Sequence, residues 1–157
     1  SKLTGLGSGA MGKAILRYSS EKISGLLSND CERLFVDALA LCKSGDHGRA
    51  REVLNSLKNR PGNIAVRDTA VFLHSRTLVD DGFHRRAAAA LEGLLQEGYE
   101  GPWEPEIFEQ LGRCSRALGK PLEARRIWKI VAERFPHDRE IQGRIARLLK
   151  ASQAAGE

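Results

Sequence analysis

The sequence predicts an all-α chain of stacked helix pairs, and three observations carry that prediction. The first is a period. Gly45, Gly82 and Gly119 stand 37 residues apart, as do Ala50, Ala87 and Ala124, then Leu54, Leu91 and Trp128, then Leu57, Leu94 and Val131. The second is helical spacing within each period: Leu34, Ala38 and Leu41 recur at three and four residues and fall on one face. The third is the lack of strand signals, with no alternating Val/Ile/Thr run and no hairpin dipeptide between apolar stretches. One helix pair cannot bury its apolar face alone, whereas three stacked pairs share a continuous core.

The opening stretch, SKLTGLGSGAMGKA, nearly spells a phosphate loop. Gly7, Gly12 and Lys13 fit G-x-x-x-x-G-K-[ST], but Ala14 stands where a hydroxyl would hold Mg²⁺, and no buried strand precedes it. Gly-Ser-Gly-Ala is linker composition, so 1–12 reads as a linker left at a fusion junction, as a short peptide (1–10) tethered through it, or, least of the three, as native sequence. Residues 13–30 read as an N-terminal helix with Ile15, Tyr18, Ile23, Leu26 and Leu27 apolar.

Three helix pairs follow, over 31–67, 68–104 and 105–141. Leu34, Val71 and Phe108 keep the register, as do Leu41, Leu78 and Ser115. Each first helix is broken at a register glycine, which suits the left-handed conformation that ends a helix. His47, His84 and Pro121 then stand at the start of the second helices. Ala50, Ala87 and Ala124 fall where the second helix crosses the first, and a larger side chain there would push the pair apart. Trp128 holds a core register position, while Trp103 falls in the loop 99–104 and is expected to be exposed. A closing helix and tail occupy 138–157. Ile141, Ile145, Leu148 and Leu149 point inward, Arg139, Arg144, Arg147 and Lys150 face water, and 151–157 is a frayed tail.

The third pair resembles the tetratricopeptide repeat, W-x₂-L-G-x₂-Y, then A-x₃-F, then P. Here it reads Phe108-x₂-Leu111-Gly112-x₂-Ser115, then Ala124-x₃-Trp128, then Pro136. The first two pairs are degenerate, with Asp37-Ala38 and His74-Ser75 in place of Leu-Gly, and the period is 37 rather than 34. The resemblance spans about 31–141. It implies a right-handed superhelical solenoid of about eight helices, whose first helices line a concave face that binds peptides. It also implies a setting such as bacterial secretion or surface assembly, where such proteins act as chaperones or docking factors.

Composition narrows the function. Lys plus Arg is 25 against 20 acids, a formal charge of +5, which permits acidic partners without demanding nucleic acid. Cys31, Cys42 and Cys114 are odd in number and lack C-x-x-C spacing, which favours a reducing, cytoplasmic compartment over a disulfide framework or zinc site. No run of 18 apolar residues marks a membrane span. The four histidines have no metal-ligand spacing with one another or with cysteine, and no nucleophile–base signature stands out. The expectation is a non-enzymatic chain with no cofactor or metal.

Helical phase places Phe35, Leu39, Cys42 and Lys43 on the concave face of the first pair. Thr69, Phe72, Leu73, Arg76 and Val79 follow from the second, and Glu106, Glu109, Gln110 and Arg113 from the third. Phe35, Leu39, Phe72, Leu73 and Val79 are too apolar for a solvated face. They mark either an interaction groove or extra core beneath the N-terminal helix. The groove reading gives a protein or peptide ligand, with Arg76 and Arg113 pairing with its acids. The family's carboxylate clamp of Lys, Asn and Arg is absent. Two alternatives stand beside it. One is an RNA-associated module of the related half-a-TPR type, using Arg113, Arg116, Arg125, Arg126, Lys129, Arg134, Arg139, Arg144 and Arg147. A solvated face is favoured over this, because basic runs usually are one. The other is an oligomerisation module of a larger protein.

Overall fold

The computed structural model describes residues 29–60 and 63–157, which form seven helices and no strand. These are α1 (Asn29–Lys43), α2 (His47–Lys58), α3 (Ile64–Asp80), α4 (His84–Gln96), α5 (Glu104–Ala117), α6 (Pro121–Arg134) and α7 (Arg139–Ala154). The linker reading of 1–12, and the helix expected over 13–30 up to its last two residues, lie outside the described residues. No helix among the described residues is long and apolar enough to cross a membrane.

Local chemistry sets the helix ends. Asp46, Asn63 and Asp138 each accept a hydrogen bond from the backbone N–H three residues on, at 3.1 to 3.2 Å, which satisfies a donor the first turn leaves open. Pro121 opens α6, where a missing N–H costs nothing. The register glycines Gly45, Gly82 and Gly119 adopt φ of 85°, 84° and 84°, so the period seen in the sequence is also a period in the backbone. Ala50, Ala87 and Ala124 are each fully buried, as a close helix crossing requires.

The described residues fall into two compact units, one ending at Asp81 and one beginning at Gly82. The division runs between α3 and α4, inside the pair expected over 68–104. In the first unit α2 packs against both α1 and α3. Its core comprises Phe35, Ala38 and Leu39 of α1, Ala50, Leu54 and Leu57 of α2, and Val66, Ala70, Phe72, Leu73 and Leu78 of α3. Thr69, His74, Ser75 and Thr77 are buried too, so α3 has no broad solvent face. Ser75 and Thr77 donate to the backbone carbonyls of Val71 and His74 on their own helix, at 2.8 and 2.6 Å.

In the second unit α4, α5, α6 and α7 pack in sequence, and α7 also reaches α5. Ala124, Trp128 and Val131 of α6 meet Ile141, Ile145 and Leu148 of α7, with Phe108 and Phe135 at the edge. Gly112 is the contact point of α5 and α6. A Cβ there would collide with the Trp128 indole, whose Nε1–H donates to the Glu109 carbonyl at 3.1 Å. The corresponding positions in the first unit are Ala38 and Leu54. The larger second-helix side chain thus goes with loss of the first-helix Cβ.

Three expectations are corrected. Trp103 is fully buried, because the loop folds back and its backbone N–H donates to the Tyr99 hydroxyl at 2.9 Å. Arg144 does not face water but is buried among carboxylates of α5. The tail is not frayed. α7 runs to Ala154, Gly156 turns the chain at φ 76°, and Glu157 is held by Ser152 at 2.8 Å, by Arg116 at 3.1 Å and through its carbonyl by Arg125 at 2.6 Å. Gly112→Ala forces the indole to shift in a filled core. It should cost about 1–3 kcal/mol, read as a lower urea midpoint at unchanged m-value.

Candidate functional site

The inner line of the first unit runs along α1 and α3. Phe35, Leu39, Thr69, Phe72 and Leu73 are buried, so their apolar character serves packing in this conformation. The line opens toward the C-terminal ends of the two helices. There Lys43 is exposed, and Cys42, Arg76 and Val79 are half-buried. Arg76 pairs with Asp80 one turn on, at 2.9 Å, which occupies a group the sequence offered to ligand acids. Burial, reinforced by Asp80, pushes the Cys42 thiol up to about 11, which favours its neutral form at pH 7.

Beside this opening a network joins α2 to the end of α3. Asp81 receives Arg51 Nη1 at 2.6 Å and lies 2.6 Å from His47 Nδ1. Arg51 also donates to Thr77 Oγ1 at 3.4 Å. Arg51, then His47, hold the Asp81 carboxyl below its ordinary value. His47 is therefore a structural residue at the first turn of α2, tied to a residue 34 positions away.

The inner line of the second unit is charged and buried. Glu109 Oε2 accepts from Arg144 Nε of α7 at 2.9 Å and lies 3.6 Å from Arg113 Nη2. The other arms of Arg144 reach Glu106 at 3.7 Å and Glu140 at 3.8 Å. Glu106, Glu109 and Gln110 are buried and Arg113 is half-buried. Phase identified Glu106, Glu109, Gln110 and Arg113, but nothing local marked Arg144 as their partner, since it comes from another helix. Cys114 lies in the same helix, its thiol raised to about 11 by burial and secondarily by Glu92.

The basic residues grouped in the sequence do not form one free surface. Arg113 and Arg144 serve Glu109, Arg116 and Arg125 hold Glu157, and Arg134 pairs with Glu104 at 2.6 Å while lying over the rings of Phe108 and Phe135. Arg126, Lys129, Arg139 and Arg147 remain exposed. Among the described residues, no group of three or more His, Cys, Asp or Glu side chains is placed to hold a metal ion.

Comparison with known protein families, with curated proteins and with solved structures finds no match.

Two outcomes test these networks. Arg144→Met leaves Glu109 buried against Arg113 alone and should cost about 3–5 kcal/mol in a denaturant titration, because a stranded buried charge is dear. A depressed Asp81 contributes stability that is complete above the unfolded-state pKa and is lost as pH falls through the folded one. Between pH 5 and 3 the wild type should therefore lose more thermal stability than Asp81→Asn, measured by parallel melts.

Proposed function

We propose that this chain is a non-enzymatic protein-interaction scaffold of tetratricopeptide-like helix pairs, stacked as a right-handed solenoid of about eight helices counting the one expected before α1. The observation that carries the reading is the shared backbone register. Three glycine turns 37 residues apart each precede a helix with a fully buried alanine in its first turns, and the third pair adds the Gly112–Trp128 contact. Such a repeat presents a row of parallel helix faces, and extended or helical peptides bind along faces of this kind.

The partner is a protein segment that enters where the inner line of the first unit opens. Lys43 supplies a free cation there, and Val79 and Cys42 supply apolar contact over a floor of Phe35, Leu39, Phe72 and Leu73. A chaperone or docking role in a cytoplasmic step of secretion or assembly follows from the family resemblance alone. The protein reading stands ahead of the RNA reading because five of the nine grouped basic residues are spent on contacts within the fold.

The test is affinity capture from a lysate of the source cell, with wild type and the double variant Lys43→Glu/Val79→Asp as baits. Lys43 is exposed and Val79 half-buried, so the comparison holds only for a variant whose far-UV helix signal matches the wild type. One protein held by wild type and lost at least tenfold by the variant is the expected result. Equal capture by both baits would remove this opening from the mechanism. Retention of ribonucleoprotein alone, released by salt, would put the RNA reading in its place.

A further inference from the structure

Arg125 of α6 stands two 37-residue periods after Arg51 of α2, with Ala88 between them. Both arginines grip the chain near the end of a later helix. Arg51 Nη1 donates to Asp81 Oδ2 at 2.6 Å and to Thr77 Oγ1 at 3.4 Å, and His47 shares that carboxylate. Arg125 Nη1 donates to the main-chain oxygen of Glu157 at 2.6 Å. The register positions of Thr77, Asp81 and His47 hold Ala151, Ala155 and Pro121, none of which offers a side-chain acceptor. Arg125 Nε is buried without a hydrogen-bond partner, and no side-chain carboxylate pairs with this guanidinium among the described residues. Ala151 and Ala155 are exposed, so the positions that give Arg51 its acceptors are open to solvent in the second unit. Beside them, Glu157 Oε2 lies 3.1 Å from Arg116 Nε and accepts from Ser152 at 2.8 Å.

We infer that Arg125 is a docking point for an acidic side chain of a partner protein, whose carboxylate takes the place that Asp81 holds against Arg51. The occupant is a peptide segment with two adjacent Asp or Glu residues. One acid meets Arg125, and the other competes with Glu157 for Arg116 and Ser152. An arginine fork binds a carboxylate more strongly than a lone carbonyl, because the acceptor is charged and can take two parallel hydrogen bonds. Glu157 lies beyond the end of α7, so its displacement leaves the helices in place. The contact is partly open to solvent and is therefore weakened by salt. It uses neither Lys43 nor Val79 nor any inner-line residue, and it stands apart from the opening proposed above.

The experiment is fluorescence anisotropy of a labelled short peptide carrying two adjacent glutamates, titrated with the full chain at low salt. The same peptide with glutamines is the control. The glutamate peptide should bind and the glutamine peptide should not. Glu157→Gln should tighten binding about three- to tenfold, because a competing group in the same chain no longer holds Arg116. Arg125→Gln should weaken it at least about tenfold. Ala155→Asp supplies in the chain the acid that Asp81 supplies to Arg51, and it should weaken binding by a similar factor. Lys129→Gln lowers the net charge by the same single unit at an exposed position and should change binding less than about twofold. Ala155 is exposed, so its variant remains informative if Arg125→Gln is not folded, and circular dichroism verifies each chain. Absence of binding by both wild type and Glu157→Gln would overturn the inference. So would equal binding of the two peptides, or binding that Ala155→Asp leaves intact. The double variant Lys43→Glu/Val79→Asp should bind the peptide as wild type does, so the two readings fail separately.

Discussion

The second unit depends on the close approach of α5 and α6 at Gly112. An indole fills the space that any other residue's Cβ would take, and the Trp128 N–H is satisfied by the Glu109 carbonyl on the facing helix. One residue thus links two parts of the fold. Its carbonyl anchors the apolar layer, and its carboxylate anchors Arg144 of the next helix. The distance between α5 and α6 therefore also sets where the buried charges sit. The first unit solves the same packing problem more gently, with Ala38 and Leu54 at the corresponding positions.

Charge is distributed in the same economical way. Most arginines that look available in the sequence already hold a carboxylate or carbonyl in the fold, often on a different helix. These pairs set relative positions more than they add stability, since a buried ion pair roughly offsets its own desolvation. Lys43 at the end of α1 and Arg126, Lys129, Arg139 and Arg147 in the second unit are among the basic residues left exposed.

Much of the fold was legible because its determinants are local. A glycine that must take positive φ, a cap residue three positions before its donor, and an alanine at a helix crossing are each written within one turn of the chain. Gly45, Gly82 and Gly119 could be read for that reason, and so could His47, His84 and Pro121 as helix starts. Trp103, Arg144 and Glu157 could not. Each is placed by a partner that the sequence does not put beside it in a regular pattern: Tyr99 across a folded loop, Glu109 on another helix, Arg116 and Arg125 on two. The candidate site was half legible. Helical phase picked the inner-line residues, but phase does not separate a face that is open from one that is covered. Phe35, Leu39, Phe72 and Leu73 are buried where the pattern allowed either. The division at Asp81 also had no sequence mark, because the 37-residue register runs through it unchanged.

Burial on nearly every side of α3 has a consequence for how this chain can change. Helices with a solvent stripe accumulate neutral substitutions there, and their core positions drift behind that tolerance. α3 has almost no such stripe. Even its polar residues, Ser75 and Thr77, are turned back onto their own backbone. Its seventeen residues, like the fourteen of α5, leave little room for substitution, while α6, with half its residues exposed, leaves more.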